Sequence, residues 1–189
     1  MEKYFFEKKY SNLNFHDTPL FLGEYEDCTF TFCDFEALNL SEYKFVNCRF
    51  VGCNLSNIRT DGTTFRDISF KDCKMLGLRF EQCNQFGLAF SFNNCILSHS
   101  SFYKLDIPST NFQNCQLKEV DFSSANLSNS SINHCDLTNS LFQNTNLTKA
   151  DLRNSVNYAI NPDSNKIKKA KFTMPEVLSL LDKYDIKIE

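Results

Sequence analysis

The sequence predicts an all-β solenoid, a four-sided β-helix built from short strands and turns. Two observations predict it. A large apolar residue recurs at every fifth position through most of the chain, and a smaller residue recurs two positions before it. Helices repeat at about 3.6 residues and strands at about 2, so neither places inward residues five apart. A chain that turns a corner every five residues does. Four pentads then close one square coil of twenty residues, and residues twenty apart stack along the axis.

The large series runs Phe30, Phe35, Leu40, Phe45, Phe50, Leu55, Thr60, Phe65, Phe70, Met75, Phe80, Gln85 and Phe90, broken only at Thr60 and Gln85. It extends back through Tyr25, Leu20, Phe15, Tyr10 and Phe5, where the other repeat positions fit less well. From Phe92 the phase is advanced by two and holds through Leu97, Phe102, Ile107, Phe112 and onward to Leu152. A two-residue insertion within 81–92 accounts for the shift. The expected organisation is a repeat β-helix over 1–155 followed by a C-terminal cap or dimerisation module over 156–189.

All nine cysteines fall in the smaller series, including Cys28, Cys33, Cys48, Cys53, Cys95, Cys115 and Cys135. Inward placement makes each a small core residue. Cysteines five apart, as Cys28 and Cys33 or Cys48 and Cys53, lie on different sides of the square and do not gather as zinc ligands. No metal or cofactor is expected. Asn or Asp between the two inward residues, as at Asn54, Asp106, Asp121, Asn126 and Asp136, suits a turn because the short side chain hydrogen-bonds nearby backbone.

His16, His99 and His134 sit at outward or turn positions without a partner set for nucleophilic catalysis, and there is no Gly-rich phosphate loop. No catalytic residue is expected, and the chain is read as a non-enzyme. No apolar run approaches the roughly 18 residues of a membrane span, and the N-terminal MEKYFFEKKY lacks a signal-peptide core. The expected location is cytoplasmic, with no membrane contact.

Charge is unevenly spread. Asp17, Glu24, Glu26, Asp27, Asp34, Glu36 and Glu42 form an acidic stretch without Lys or Arg. Outward charges of this kind keep a sheet soluble and discourage edge-to-edge stacking. Alternatively, Glu24, Glu26, Asp27, Asp34, Glu36 and Glu42 form an acidic face for a basic partner. Within 81–92, Gln85 and Gly87 interrupt the core pattern and Phe86 falls on an outward step, which marks a bulge or loop candidate.

The tail departs from the repeat. Thr173 is a candidate helix cap, Pro175 suits a first turn, and Val177, Leu178, Leu181 and Tyr184 form a helical apolar stripe. Ile186 and Ile188 alternate like a short strand. A module of this kind covers the last coil or pairs two copies.

The run CQLKEVDFSSANLSNSSINHCDLTNSLFQNTNLTKADL, read as small residue, Asp or Asn, Leu or Phe, polar, any, resembles the pentapeptide-repeat family over about 25–157. CKMLG (73–77), NNCILSHSSFY (93–103) and the tail from VNYAI to IKKAKFTMPEVLSLLDKYDIKIE resemble its topoisomerase-protecting branch, the quinolone-resistance (Qnr) proteins and above all the albicidin-immunity type. The resemblance implies a right-handed quadrilateral β-helix with a short C-terminal helix and strand. It further implies a homodimer through Val177, Leu178, Leu181, Tyr184, Ile186 and Ile188. The implied function is DNA mimicry: binding of DNA gyrase or topoisomerase IV and protection from an albicidin- or quinolone-like agent, with no direct nucleic-acid binding. A protein-interaction scaffold without a topoisomerase partner is the alternative, since one fold hosts many uses.

Overall fold

The structure is a computed structural model, described here for residues 3–187. The chain forms short strands at Lys3–Phe6 (β1), Lys9–Ser11 (β2), Gly23–Glu26 (β3), Thr29–Thr31 (β4), Lys44–Val46 (β5), Arg49–Val51 (β6), Thr64–Arg66 (β7), Ile68–Lys71 (β8), Phe90–Asn93 (β9), Asn111–Gln113 (β10) and Ser131–Asn133 (β11). Strands β1, β3, β5 and β7 make one parallel sheet, side 1 of the rod. Strands β2, β4, β6, β8, β9, β10 and β11 make a longer one, side 2. Sides 3 and 4 are held by single parallel bridges, for example Asn14 to Asp34 to Asn54 on side 3 and Asp121 to Leu141 on side 4. The predicted four-sided β-helix is therefore the fold.

Each pentad forms for local reasons. An Asx turn sits beside the inward residue on the tight sides: the amide of Glu36 donates to Asp34 Oδ1, Ser123 to Asp121 Oδ1 and Thr138 to Asp136 Oδ1. The corner that follows requires positive φ, taken by Asn47, Asn57, Asn114, Asn129 and Asn144 and, at more conformational cost, by Phe32, Ala37 and Lys104. Between corners the backbone amides and carbonyls bond to the coils above and below, as Leu127 N–H does to Asn146 O at 2.8 Å. Few backbone groups are left for water to satisfy on the inside.

Burial follows the period. Phe30, Phe45, Phe50, Phe65, Phe102, Phe112 and Phe122 are fully buried, as are the aliphatic Leu55, Leu97, Leu117, Leu137 and Leu147. Rings twenty apart stack face to face: Phe30 on Phe50 with centroids 4.8 Å apart, Phe102 on Phe122 and Phe122 on Phe142 both at 5.3 Å. Rings on opposite sides meet edge to face across the core, as Phe112 and Phe122 do at 5.9 Å. Both arrangements suit aromatic quadrupoles and add about 0.5–1.5 kcal/mol per pair beyond area burial.

The change of phase is localised. Thr64 bridges Asn84 with an offset of twenty, whereas Ile68 pairs with Phe90 and Arg79 with Ser101, an offset of twenty-two. The extra residues are absorbed at Gln85–Ala89. Phe90, which the periodicity counts with the first large series, pairs with Ile68 and so occupies the smaller inward position of the second. The next large position is Phe92, stacked on Phe70 at 5.3 Å.

The two ends differ. At the N-terminal end β1 and β2 are edge strands, and Phe5, Tyr10, Leu13 and Phe15 line an uncovered hollow of about 210 Å³. At the other end, bridges from Asp136 to Val156, Asn146 to Lys166 and Asp151 to Lys171 carry the ladder across the expected boundary at 155/156. A 3₁₀-type helix, Glu176–Tyr184, follows. Its first turn lacks the expected side-chain cap: the Thr173 hydroxyl instead accepts from the Asn154 amide at 2.9 Å and ties the tail to side 2. Leu180 rests against the core, and Phe172 packs on Tyr158 with centroids 5.6 Å apart. Tyr158 Oη and Ser179 Oγ are buried without a hydrogen-bond partner among the described residues. No strand follows the helix among the described residues; Ile186 is exposed, and Ile188 lies outside them.

Candidate interaction surface

Because the inside is filled by the repeat, chemistry is confined to outward positions. The acidic stretch does not form one face. Glu24 and Glu26 project from β3 on side 1 with Asp27 at the next corner, while Asp34 and Glu36 lie on side 3, opposite, and Glu42 closes side 4. A run of consecutive residues winds around a square rod, so neighbours in sequence become neighbours on a face only twenty residues apart. The carboxylates therefore girdle the second coil.

Several are already engaged along the axis. Asn47 Nδ2 donates to Asp27, Asn54 Nδ2 donates to Glu36 Oε2 at 3.1 Å, and the Tyr4 hydroxyl donates to Glu26. The bond to Glu26 holds the Tyr4 phenol in its protonated form and pushes its pKa up to about 12. Further along, Asp106, Asn126 and Asn146 form an amide ladder, with Asn126 Nδ2 at 2.6 Å from Asp106 Oδ1 and Asn146 Nδ2 at 2.9 Å from Asn126 Oδ1. Asp136 is paired with Lys118 at 3.1 Å. Partial burial opposes its ionisation, but hydrogen bonds from Asn157, Thr138 and Lys118 outweigh that and hold its carboxyl at about 2.

The bulge behaves as a display. Phe86 is 78% exposed, its amide donates to Asn84 Oδ1 at 3.1 Å, and Arg66 lies over its ring at 5.6 Å. Gly87 turns the chain back at a φ of +69°, where a Cβ would stand 3.0 Å from Arg66 Nε. Gln85 is exposed and bonds through its carbonyl to the Leu88 amide. The three loop candidates are thus brought together on side 1.

The nine cysteines are buried free thiols. Cys33, Cys53, Cys73, Cys95, Cys115 and Cys135 stack as one column, each one residue before a side 3 bridge position. Their thiols donate to backbone carbonyls, Cys53 to Phe30 O at 3.4 Å and Cys73 to Phe50 O at 3.4 Å. Burial pushes the Cys48 and Cys83 thiols up to about 12, so neither is poised as a thiolate.

In the tail, Val177, Leu178 and Leu181 are half-buried, while Tyr184 and Ile186 are exposed at 53% and 55%. The residue that packs inward, Leu180, lies outside the stripe inferred from the sequence, because a 3₁₀ turn of three residues rotates the face relative to an α-helix.

Two further features escaped the sequence reading. Tyr4, Phe6, Phe21 and Leu22 are exposed at 57%, 44%, 58% and 56% around the corner of sides 1 and 4, with Lys3 Nζ 3.4 Å from the Phe21 ring centroid. Lys149, Lys166, Lys168, Lys169 and Lys171 are exposed together on the last coils. Neither follows from the period of five, which fixes the inward positions and leaves the grouping of outward ones to the offset between coils.

No helix among the described residues is long and apolar enough to cross a membrane. Residues 79–152 match a family model described as a pentapeptide repeat region, and residues 48–84 match one described as pentapeptide repeats in eight copies. No curated protein matches the sequence. Among solved structures, a trypsin-treated variant of QnrB1, a plasmid-mediated fluoroquinolone resistance protein, superposes with a TM-score of 0.65 at 16% identity, covering 99% of this chain and 100% of that one. Full-length QnrB1 gives a TM-score of 0.40 at 19% identity over 97% and 100%. HetL, a pentapeptide repeat protein involved in heterocyst differentiation regulation from the cyanobacterium Nostoc sp. strain PCC 7120, gives 0.42 at 14% over 92% and 90%.

Proposed function

Since the chain belongs to the pentapeptide-repeat family, whose two models together match residues 48–152, we propose that it is a non-enzymatic, cytoplasmic DNA mimic that binds a type II topoisomerase. The partner is DNA gyrase or topoisomerase IV, and the outcome is protection from an albicidin- or quinolone-like agent. The observation that carries this reading is the girdle of carboxylates. Seven acids between Asp17 and Glu42 rise only about 6 Å along the rod at roughly 4.8 Å per coil. That is about one charge per ångström, at least as dense as the one per about 1.7 Å of duplex DNA. Distribution around the rod, with acids on sides 1 and 3, matches a duplex better than a flat acidic patch would.

The likeness in fold to a fluoroquinolone resistance protein along its full length supports the same reading. In it, Val177, Leu178, Leu181, Tyr184 and Ile186 pair two copies end to end through the tail, and Gln85, Phe86 and Gly87 add a contact beside the acidic coils.

The deciding experiment is gyrase supercoiling with albicidin or a quinolone present. Micromolar protein is expected to restore supercoiling, and reversing Glu24, Glu26, Asp34 and Glu36 together to Lys is expected to remove the effect. Supercoiling unaltered by the protein, with and without either agent, leaves the scaffold reading in its place.

A further inference from the structure

Side 1 changes character along its length in a way that is complementary to itself. Positions 4, 24, 44, 64, 84, 106, 126, 146 and 166 stack on this side, and 84, where the bulge begins, is the middle one. On the N-terminal half its surface carries Glu7, Glu24, Glu26 and Asp27 beside exposed Tyr4 and Phe6. On the C-terminal half it carries Lys149, Lys166, Lys168 and Lys169. These lysines form no ion pair with the chain's own carboxylates among the described residues, unlike Lys118 and Lys183.

The geometry points to an isologous interface on side 1, on which a second copy of this chain lies antiparallel. A twofold axis at the middle position sends each coil to its mirror in order. The first coil, with Glu7, meets Lys166, Lys168 and Lys169 of the other copy. The second, with Glu24 and Glu26, meets Lys149. The fourth, with Arg66, meets the sixth, with Asp106. The bulge meets itself, so the two Phe86 rings pack at the axis.

Every charge named is thus placed opposite its complement, as a C2 interface requires of a single surface. Phe86 supplies what the charges lack, a central apolar anchor of the kind that dominates interfaces. Its 78% exposure has no use within the isolated rod. The chain spends two residues and breaks an otherwise regular ladder to place it there.

Size sets the expected strength. Eight steps of about 4.8 Å and a strand width of roughly 15 Å bury on the order of 600 Å² per copy, below the roughly 800 Å² of a standard interface. The pair is accordingly weak, micromolar, and sensitive to salt, since exposed charges are screened beyond about 10 Å at 0.1 M. This contact is distinct from end-to-end pairing through the tail, and it stands or falls without any topoisomerase.

The test uses the full chain carrying Gln85→Cys, exposed beside the axis with Phe86 kept in place, oxidised with copper phenanthroline. All nine native thiols are buried, so the new one is the reactive one. A disulfide-linked dimer is expected at low salt, several-fold less of it at about 0.5 M salt. The quadruple reversal Lys149→Glu, Lys166→Glu, Lys168→Glu, Lys169→Glu is expected to reduce it, and adding Glu7→Lys, Glu24→Lys and Glu26→Lys to restore it. Small-angle scattering of the unmodified chain is expected to show a doubled rod thickness at low salt, with or without end-to-end pairing through the tail. Cross-linking no faster than through Gln116→Cys, which lies exposed on side 3, opposite the interface, overturns the proposal. So does the thickness of a single solenoid at low salt.

Discussion

Side 1 below the bulge and side 1 above it are built by the same repeat from different materials. Below, Phe5, Tyr25, Phe45 and Phe65 stack as aromatic rings, at 4.5 Å between Phe5 and Tyr25 and 5.7 Å between Phe45 and Phe65, behind the regular strands β1, β3, β5 and β7. Above, Ile107, Leu127 and Leu147 fill the same inward position and the strands give way to single bridges with Asx turns. Outside, carboxylates give way to amides and then to lysines. The difference teaches that the repeat demands only a large apolar group at each inward step, while the outer surface is free to change from coil to coil.

The largest test of that statement is in the core. Phe65→Ala is expected to cost about 3–5 kcal/mol and Leu127→Ala about 2–5 kcal/mol, measured by urea unfolding. The two halves are equivalent supports only if both losses are large. A loss under about 1 kcal/mol at Leu127, which is fully buried, would mean that the aliphatic half can collapse around a void.

Gly23 probes the first coil next. A Cβ there would stand 2.3 Å from the Lys3 carbonyl oxygen, a backbone atom that can yield only if β1 shifts. Gly23→Ala is expected to destabilise by about 1–3 kcal/mol, with hydrogen exchange accelerating in β1 and β2 while β10 and β11 stay protected. Uniform acceleration along the rod would contradict the layer-by-layer build of a solenoid.

Deleting Phe86 and Gly87 together restores the twenty-residue offset and joins the two halves directly. The variant is expected to remain folded but to lose about 1–3 kcal/mol, because Gln85, exposed in the structure, falls on the large inward position of the restored period. A collapse of the far-ultraviolet circular dichroism spectrum would show that the bulge is structural rather than a display.

The smallest effect concerns Asp136, on side 3 above the bulge. Asp136 is held at about 2, below the unfolded value of 3.8, so its stabilisation is present above about pH 4 and is lost as pH falls through about 2. The stability difference between the parent and Asp136→Asn is expected to shrink over that window. A difference that stays constant from pH 5 to about 2 would place the effect in packing rather than in charge.

Much of this was legible in the residues. The inward phase, the Asx turns at Asp121, Asn126 and Asp136, and the burial of every cysteine all follow from local spacing, because a pentad's conformation is set within five residues. The stacks of Phe102 on Phe122 and Phe142 follow from the same count. The details of the tail were not legible. A sequence stripe cannot tell a 3₁₀ turn from an α-helix, so Leu180 rather than Val177 or Leu181 was the residue found against the core.

The sequence by itself determined which residues point inward and that the chain coils, since apolar burial at a fixed period leaves no other arrangement. Only the tertiary structure decided which outward residues share a side. Asp34 and Glu24 are ten residues apart yet on opposite sides, whereas Asp27 and Asn47 are hydrogen-bonded at twenty. Surface neighbourhoods depend on the offset between coils, and that offset changes from twenty to twenty-two across Gln85–Ala89. The bulge therefore sets which outward groups above it stand in line with those below.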